Sequence, residues 1–525
     1  MVPQQEWEAV AKNIVILSDG TGNSAANPFK TNVWRLYQAV DQRDPPPANH
    51  TRQIGLYDDG VGTENFKPLK LLGFAVGLGL ANNVKKLYTF VCRNYEPGDR
   101  IYLFGFSRGA FTVRILAGLI LKCGLVKADS EAELNELVKV AYAEYKRDVA
   151  RRATATRPAL IAGQFLGGHD VGLTTDHIAI GRNQVFPEIW FVGVWDTVDA
   201  YGVPVDELKL GIDRYIWPMT LADRTLSPHI RHACHALSLD DERPTYRPVL
   251  WNERGIADPD RLKQVWFAGV HGNVGGGYPD DGLAHVPMQW IMDEARVRGL
   301  RFFRQHVREV DDRADPHGKA YDSRSGLAGY YRYGPRCGAE LCNDEEHQVF
   351  VSPAKLHESA LSRIGEHRVP YAPVGVVADY ALYGRRNRRL ALLPPIEPPP
   401  DAQARADDMK AAWDAVLRRR VAYFATVALS LFLAALSLLD RIRWLPPSLP
   451  GWDRIAGPLS HALGMLFKLA GAFLPSWTAW WFASFANHPA VFIVSAAALL
   501  WLFVRKSGLI QQEVFARAEY AWRRL

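Results

Sequence analysis

The pentapeptide Gly105-Phe106-Ser107-Arg108-Gly109 constrains this chain more than any other stretch. It follows Arg100–Phe104, a run of strand composition, and it precedes Ala110–Ile120, whose apolar residues recur at helical spacing. The pattern predicts a strand, a sharp turn and a helix. In such an elbow the positions two before and two after the serine have almost no room for side chains, and the strained backbone holds the hydroxyl clear of the main chain. The amide of the next residue, Arg108, then points to where a tetrahedral oxyanion would form. The competing reading is a structural turn in which Ser107 only caps the helix.

Further apolar runs end abruptly in polar, Gly-rich turns. Asn13–Leu17 stops at Ser18-Asp19-Gly20-Thr21-Gly22-Asn23, and Gln53–Tyr57 stops at Asp58-Asp59-Gly60. Continuous β-branched runs suit parallel strands covered on both faces, with functional loops at their carboxyl ends. The amides of Gly20 and Thr21 are therefore candidates for a second oxyanion donor. Glu188–Trp195 is a strand candidate that ends at Asp196, and Leu262–Val270 is another that ends at His271 and the glycines up to Tyr278. Helices are predicted over 31–40, 71–95, 131–155, 229–238 and 286–298. Residues 156–187 look like an insertion or lid, and residues 310–400 hold only short apolar pieces.

Ser107, Asp196 and His271 thus stand at three strand ends. Their order along the chain is the one used by α/β-hydrolases. A serine is a weak nucleophile, so an imidazole must take its proton during attack, and a carboxylate must fix the imidazole tautomer. Asp199, Asp240 and Asp241 are rivals for the carboxylate role. The expected fold class is α/β, an α/β-hydrolase-like, mainly parallel sheet with flanking helices, followed by a C-terminal transmembrane helical region.

The net charge of +6 is small for 525 residues, and the first 400 positions hold no long basic run, which speaks against nucleic-acid binding. Five scattered cysteines form no disulfide framework. Cys337, Cys342 and His347 lack a fourth ligand for zinc, and the chemistry calls for no metal or cofactor. The polar start, Met1–Lys12, predicts no secretory signal peptide. Near the other end, Val421–Leu439 carries no charge and follows Arg418-Arg419-Arg420. As a helix it would be about 29 Å long, matching a hydrocarbon core of about 30 Å. Pro489–Val504 is a second apolar stretch, closed by Arg505-Lys506, and the Trp-rich 456–485 between them reads as interfacial. Basic flanks at both outer ends predict that these ends face the cytoplasm. The expected organisation is a catalytic domain over 10–395, a linker and juxtamembrane helix over 396–417, a membrane-associated region over 418–510 and a tail over 511–525.

Five segments carry a family resemblance: Asp19–Asn23, Gly105–Phe111, Val194–Val198, Leu239–Arg243 and Val265–Tyr278. Together they resemble the uncharacterised α/β-hydrolase family that includes the Tle1-type phospholipase effectors of type VI secretion. The resemblance implies a triad carried by Ser107, Asp196 and His271 and esterase action on a lipid or phospholipid substrate at a membrane. It also implies a possible partner in an immunity protein or a secretion system. Two positions depart from the family pattern: Gly272-Asn273 stands where Ser-Asp is usual, and Asp199 where Gly is usual. The expected location is the bacterial inner membrane with the catalytic domain in the cytoplasm, with export by a type VI secretion system as the alternative. A catalytically silent, membrane-tethered binding module is the remaining reading.

Overall fold

The computed structural model describes residues 11–60 except 21, 22 and 25, then 74–161, 177–199 except 181–183, 224–365, 371–375, 380–386, 389–392, 402–441 and 488–522, with short helical pieces between 458 and 485. The chain divides into two compact units, residues 1–331 with 335–402, and residues 332–334 with 403–525.

The first unit is an α/β structure organised on a nine-stranded sheet. Its strands are β1 (Asn13–Ser18), β2 (Gln53–Asp58), β3 (Arg100–Phe106), β4 (Ile189–Trp195), β5 (Ile230–Ser238), β6 (Leu262–Phe267), β7 (Ala354–His357), β8 (Tyr380–Arg386) and β9 (Arg389–Leu392). The order is β9-β8-β7-β6-β5-β4-β3-β1-β2. Strands β1 to β8 are all parallel, and only β9 runs antiparallel, as a hairpin on β8.

The apolar runs are continuous because both faces of the sheet are covered. Successive side chains on a strand point to opposite faces. Ile14, Ile16, Ile101 and Leu103 accordingly join one core layer, and Val15, Leu17, Tyr102 and Phe104 join the other. The first layer is completed by α2 (Phe74–Asn94), α3 (Arg108–Cys123) and α4 (Glu131–Ile161). The second is completed by α1 (Asn32–Ala39), α6 (Gly282–Val297) and α7 (Arg304–Arg313), while α5 (His271–Gly275) is a single turn after β6. The strand order changes direction across the sheet between β1 and β3, and ligand crevices of parallel sheets open beside such a point.

Two expectations are corrected here. Residues 229–238 form a strand, not a helix. The Ala- and His-rich composition of this segment favours helix locally, but β5 pairs along its length with β4 and β6, and its Ala233, Cys234, Ala236 and Leu237 are buried between the two layers. Residues 310–400 also supply β7, β8 and β9, short strands whose sequence signal is weak. The expected lid over 156–187 falls partly on α4, and its residues 162–176 lie outside the described residues.

In the second unit, α8 (Ala402–Arg441) contains the uncharged stretch 421–439. Among the described residues, one helix is long and apolar enough to cross a membrane, Asp407–Leu436 of α8. The second expected span is α9 (Pro489–Arg505), whose apolar part, Val491–Leu502, is too short to qualify. A π-helical turn leads from it into α10 (Gln511–Trp522). Most of 456–485, expected to be interfacial, lies outside the described residues.

Candidate active site

The elbow sits at the carboxyl end of β3. Ser107 has φ 58° and ψ −124°, a conformation that costs a non-glycine residue energy, and its amide is tied to Trp195 O at 3.0 Å. The flanking glycines are required by contact. A Cβ on Gly105 would lie 2.6 Å from Gly109 O, and one on Gly109 would run into Ser18 O at the end of β1.

Three side chains that are far apart in the chain meet here. Nε2 of His271 lies 2.8 Å from Ser107 Oγ, and Nδ1 lies 2.6 Å from Asp196 Oδ2. Asp196 is fully buried, and Ser107 and His271 are 7% and 6% exposed, so the hydroxyl and ring border solvent while the carboxylate does not. With Nδ1–H donating to the carboxylate, Nε2 is left to accept from the hydroxyl. The His271 ring is also held between Phe106 and Tyr246, with ring centroids 4.6 and 5.0 Å away.

Asp196 stands in a left-handed backbone conformation, φ 41°, just past β4. Its carboxylate accepts from the Ser238 amide at 3.0 Å and the Ser238 hydroxyl at 3.2 Å. Behind it, the buried Arg336 guanidinium donates to Oδ1 at 2.7 Å and Oδ2 at 2.8 Å, and also to the carbonyl oxygens of Ser238 and Tyr246. Burial acts to raise the Asp196 pKa, but the Arg336 charge and the His271 and Arg336 hydrogen bonds outweigh it and hold the carboxyl far below its usual range. For His271, burial lowers the pKa from 6.5 against the opposing pull of Asp196, so the ring is neutral at pH 7. Nothing in the sequence pointed to Arg336, which lies 140 residues from its partner and in no motif.

The rival carboxylates have other partners. Asp241 Oδ2 accepts the backbone N–H of His271 at 3.2 Å and pairs with Arg243, while Asp240 accepts from the Gly269 amide and the Tyr371 hydroxyl. Asp199 lines the cavity beside Ser107.

Of the expected oxyanion donors, the Arg108 amide opens α3, where an N–H has no intrahelical acceptor. Gly20 packs against the elbow, and a Cβ on it would be 3.1 Å from Ser107 Cβ. Its amide, however, donates to Asp19 Oδ1 at 2.7 Å and is engaged. Thr21 lies outside the described residues. Asp19 itself also accepts from Thr31 and Tyr57, and burial still pushes its pKa up to about 6. Among the described residues, no group of three or more His, Cys, Asp or Glu side chains is placed to hold a metal ion.

A cavity of about 90 Å³ opens on Ser107 and His271, lined also by Asn23, Arg108, Thr245 and Tyr246.

A parallel α/β sheet with a hydroxyl, an imidazole and a carboxylate hydrogen-bonded in series at its carboxyl edge defines the class of protein. The chain belongs to the type VI secretion (T6SS) phospholipase effector Tle1-like family, whose catalytic-domain profile matches residues 12–294. An uncharacterized protein of Saccharomyces cerevisiae is 29% identical over 258 residues, 45% of this chain and 32% of the relative, so the match spans about a third of that relative's length. A crystal structure of an uncharacterized protein from Pseudomonas aeruginosa aligns with 91% of this chain and 62% of its own at 16% identity and a TM-score of 0.31.

Proposed function

We propose that the chain is a serine esterase that hydrolyses a phospholipid or another lipid ester at a membrane surface. Ser107 attacks the ester carbonyl while His271 Nε2 takes its proton, and the proton passes to the leaving alcohol as the acyl-enzyme forms. Water, deprotonated by the same ring, then releases the acid. Asp196 keeps the imidazole in the required tautomer and stabilises the imidazolium, and Arg336 fixes Asp196. The Arg108 amide faces the oxyanion.

The observation that carries this reading is the pair of short hydrogen bonds, Ser107 to His271 and His271 to Asp196, between residues on three separate strand ends. Family membership supports a lipid ester as substrate. The apolar Asp407–Leu436 helix supports action at a bilayer. A fluorophosphonate probe should label the wild-type chain and leave Ser107→Ala unlabelled. Equal labelling of both would refute the assignment of the nucleophile.

The same chemistry delivered to a rival cell is the second reading, favoured by the family's place in type VI secretion. Toxicity to cells that lack a cognate immunity protein would separate it from a resident enzyme.

A further inference from the structure

We propose that Arg108 and Thr245 form an anion subsite in the cavity beside Ser107, and that it takes the phosphodiester of a glycerophospholipid whose acyl ester lies at the serine. This rests on the esterase reading and goes further by assigning the group that selects the substrate.

The two side chains differ from their neighbours in what they lack. Arg243 is paired with Asp241 and stacked on the Tyr246 ring at 3.6 Å, and both terminal nitrogens of Arg336 are engaged by Asp196 and two carbonyls. Arg108 lines the same cavity as Ser107 and His271, and its guanidinium makes no hydrogen bond or ion pair among the described residues. Among the described residues its charge meets the phenol groups of Tyr246 and Tyr331, and burial lowers its pKa. Among the described residues, Asp199 is the one carboxylate on the cavity wall, and its charge acts on Arg114 and Arg224. Thr245 is 5% exposed, lines the cavity, and has a buried hydroxyl oxygen without a partner.

A desolvated cation and a buried hydroxyl that both go unmatched are costly in an empty site and become favourable when an anion with several acceptor oxygens enters. A phosphodiester has one negative charge and two free oxygens, enough for a guanidinium and a hydroxyl at once. In a glycerophospholipid it is separated from the acyl ester only by the glycerol carbons, so both groups belong in one small cavity. A neutral diacylglycerol offers the same ester without the anion.

The test compares kcat/KM of the full-length chain on phosphatidylglycerol and on diacylglycerol of the same acyl composition, in neutral-detergent mixed micelles. The wild type should prefer the phospholipid. Arg108→Gln should reduce that preference about 10- to 100-fold, the loss of one charge-assisted hydrogen bond, and Arg108→Lys should restore part of it. Thr245→Val should reduce it about 3- to 10-fold, and it decides the matter alone if Arg108→Gln does not fold. A preference ratio unchanged in these variants would overturn the subsite. Inhibition of diacylglycerol hydrolysis by inorganic phosphate in a wild type with no phospholipid preference would assign the site to free phosphate and overturn the lipid assignment. Absence of any Ser107-dependent hydrolysis of either lipid would instead overturn the esterase reading.

Discussion

His271 is read by pH because its two ring nitrogens have different partners. Only the neutral ring can accept from Ser107, and burial sets its pKa below 6.5. The kcat/KM for ester hydrolysis should therefore rise with pH through a midpoint below 6.5. Arg336→Met should move that midpoint upward, because removing the guanidinium leaves the full negative charge of Asp196 acting on the ring. The same change strands a buried carboxylate and should lower stability by about 3–5 kcal/mol in chemical denaturation. Arg336→Lys should recover only part of both, since an ammonium cannot repeat two parallel bonds to one carboxylate. A midpoint that does not move in Arg336→Met would show that this arginine does not act on the ring through Asp196.

At the level of the elements, the elbow is where local sequence and tertiary packing agree. Gly109 lets the first turn of α3 approach the end of β1, where a Cβ would collide with Ser18 O. Gly109→Ala should cost about 1–3 kcal/mol or more by thermal unfolding and abolish probe labelling, since the hydroxyl cannot keep its place. This part of the molecule was legible beforehand. The runs at β1, β3 and β4 are mostly apolar because the sheet is covered twice, and β3 and β4 are followed directly by Ser107 and Asp196. β5 was not legible, because a strand of mixed small, apolar and histidine residues has no period of its own and is defined by its two neighbours. Arg336, Ser238 and Thr245 were missed for a related reason. Their roles come from convergence across the sheet edge, and no spacing along the chain records it. Gly20 shows the opposite error: its position against Ser107 was foreseeable, but the capture of its amide by Asp19 depends on Thr31 and Tyr57 holding that carboxylate.

For the molecule as a whole, buried carboxyls shape stability in both directions. Asp240 is pushed up to about 6 by burial, against the opposing hydrogen bonds from Tyr371 and Gly269, so between its ordinary 3.8 and about 6 the folded state holds a proton that the unfolded chain releases. Stability contributed by the protonated form is then lost as pH rises through about 6. Asp240→Asn keeps an acceptor for both donors, which share Oδ2, and carries no charge. Its melting temperature should gain on the wild type between pH 4 and 7, by the equivalent of up to about 3 kcal/mol. A constant offset across that range would place the Asp240 pKa near its ordinary value. On the proposed reading, membrane attachment belongs to the other unit. Phe424 and Leu431 on α8 are 52% and 64% exposed, within the stretch able to span a bilayer. The double substitution Phe424→Asp, Leu431→Asp should shift the chain from the membrane pellet to the supernatant, since each centrally placed aspartate costs a few kcal/mol, about 2.5–3.5, in hydrocarbon.

Each of the two carboxylates nearest the His271 ring is already matched by its own guanidinium, Asp196 by Arg336 and Asp241 by Arg243. Turnover on the proposed route would then create a transient zwitterion, imidazolium on one side and alkoxide on the other, without importing any ion from water. The opposite charges rise and vanish together, so the surrounding dipoles can stay oriented through successive cycles.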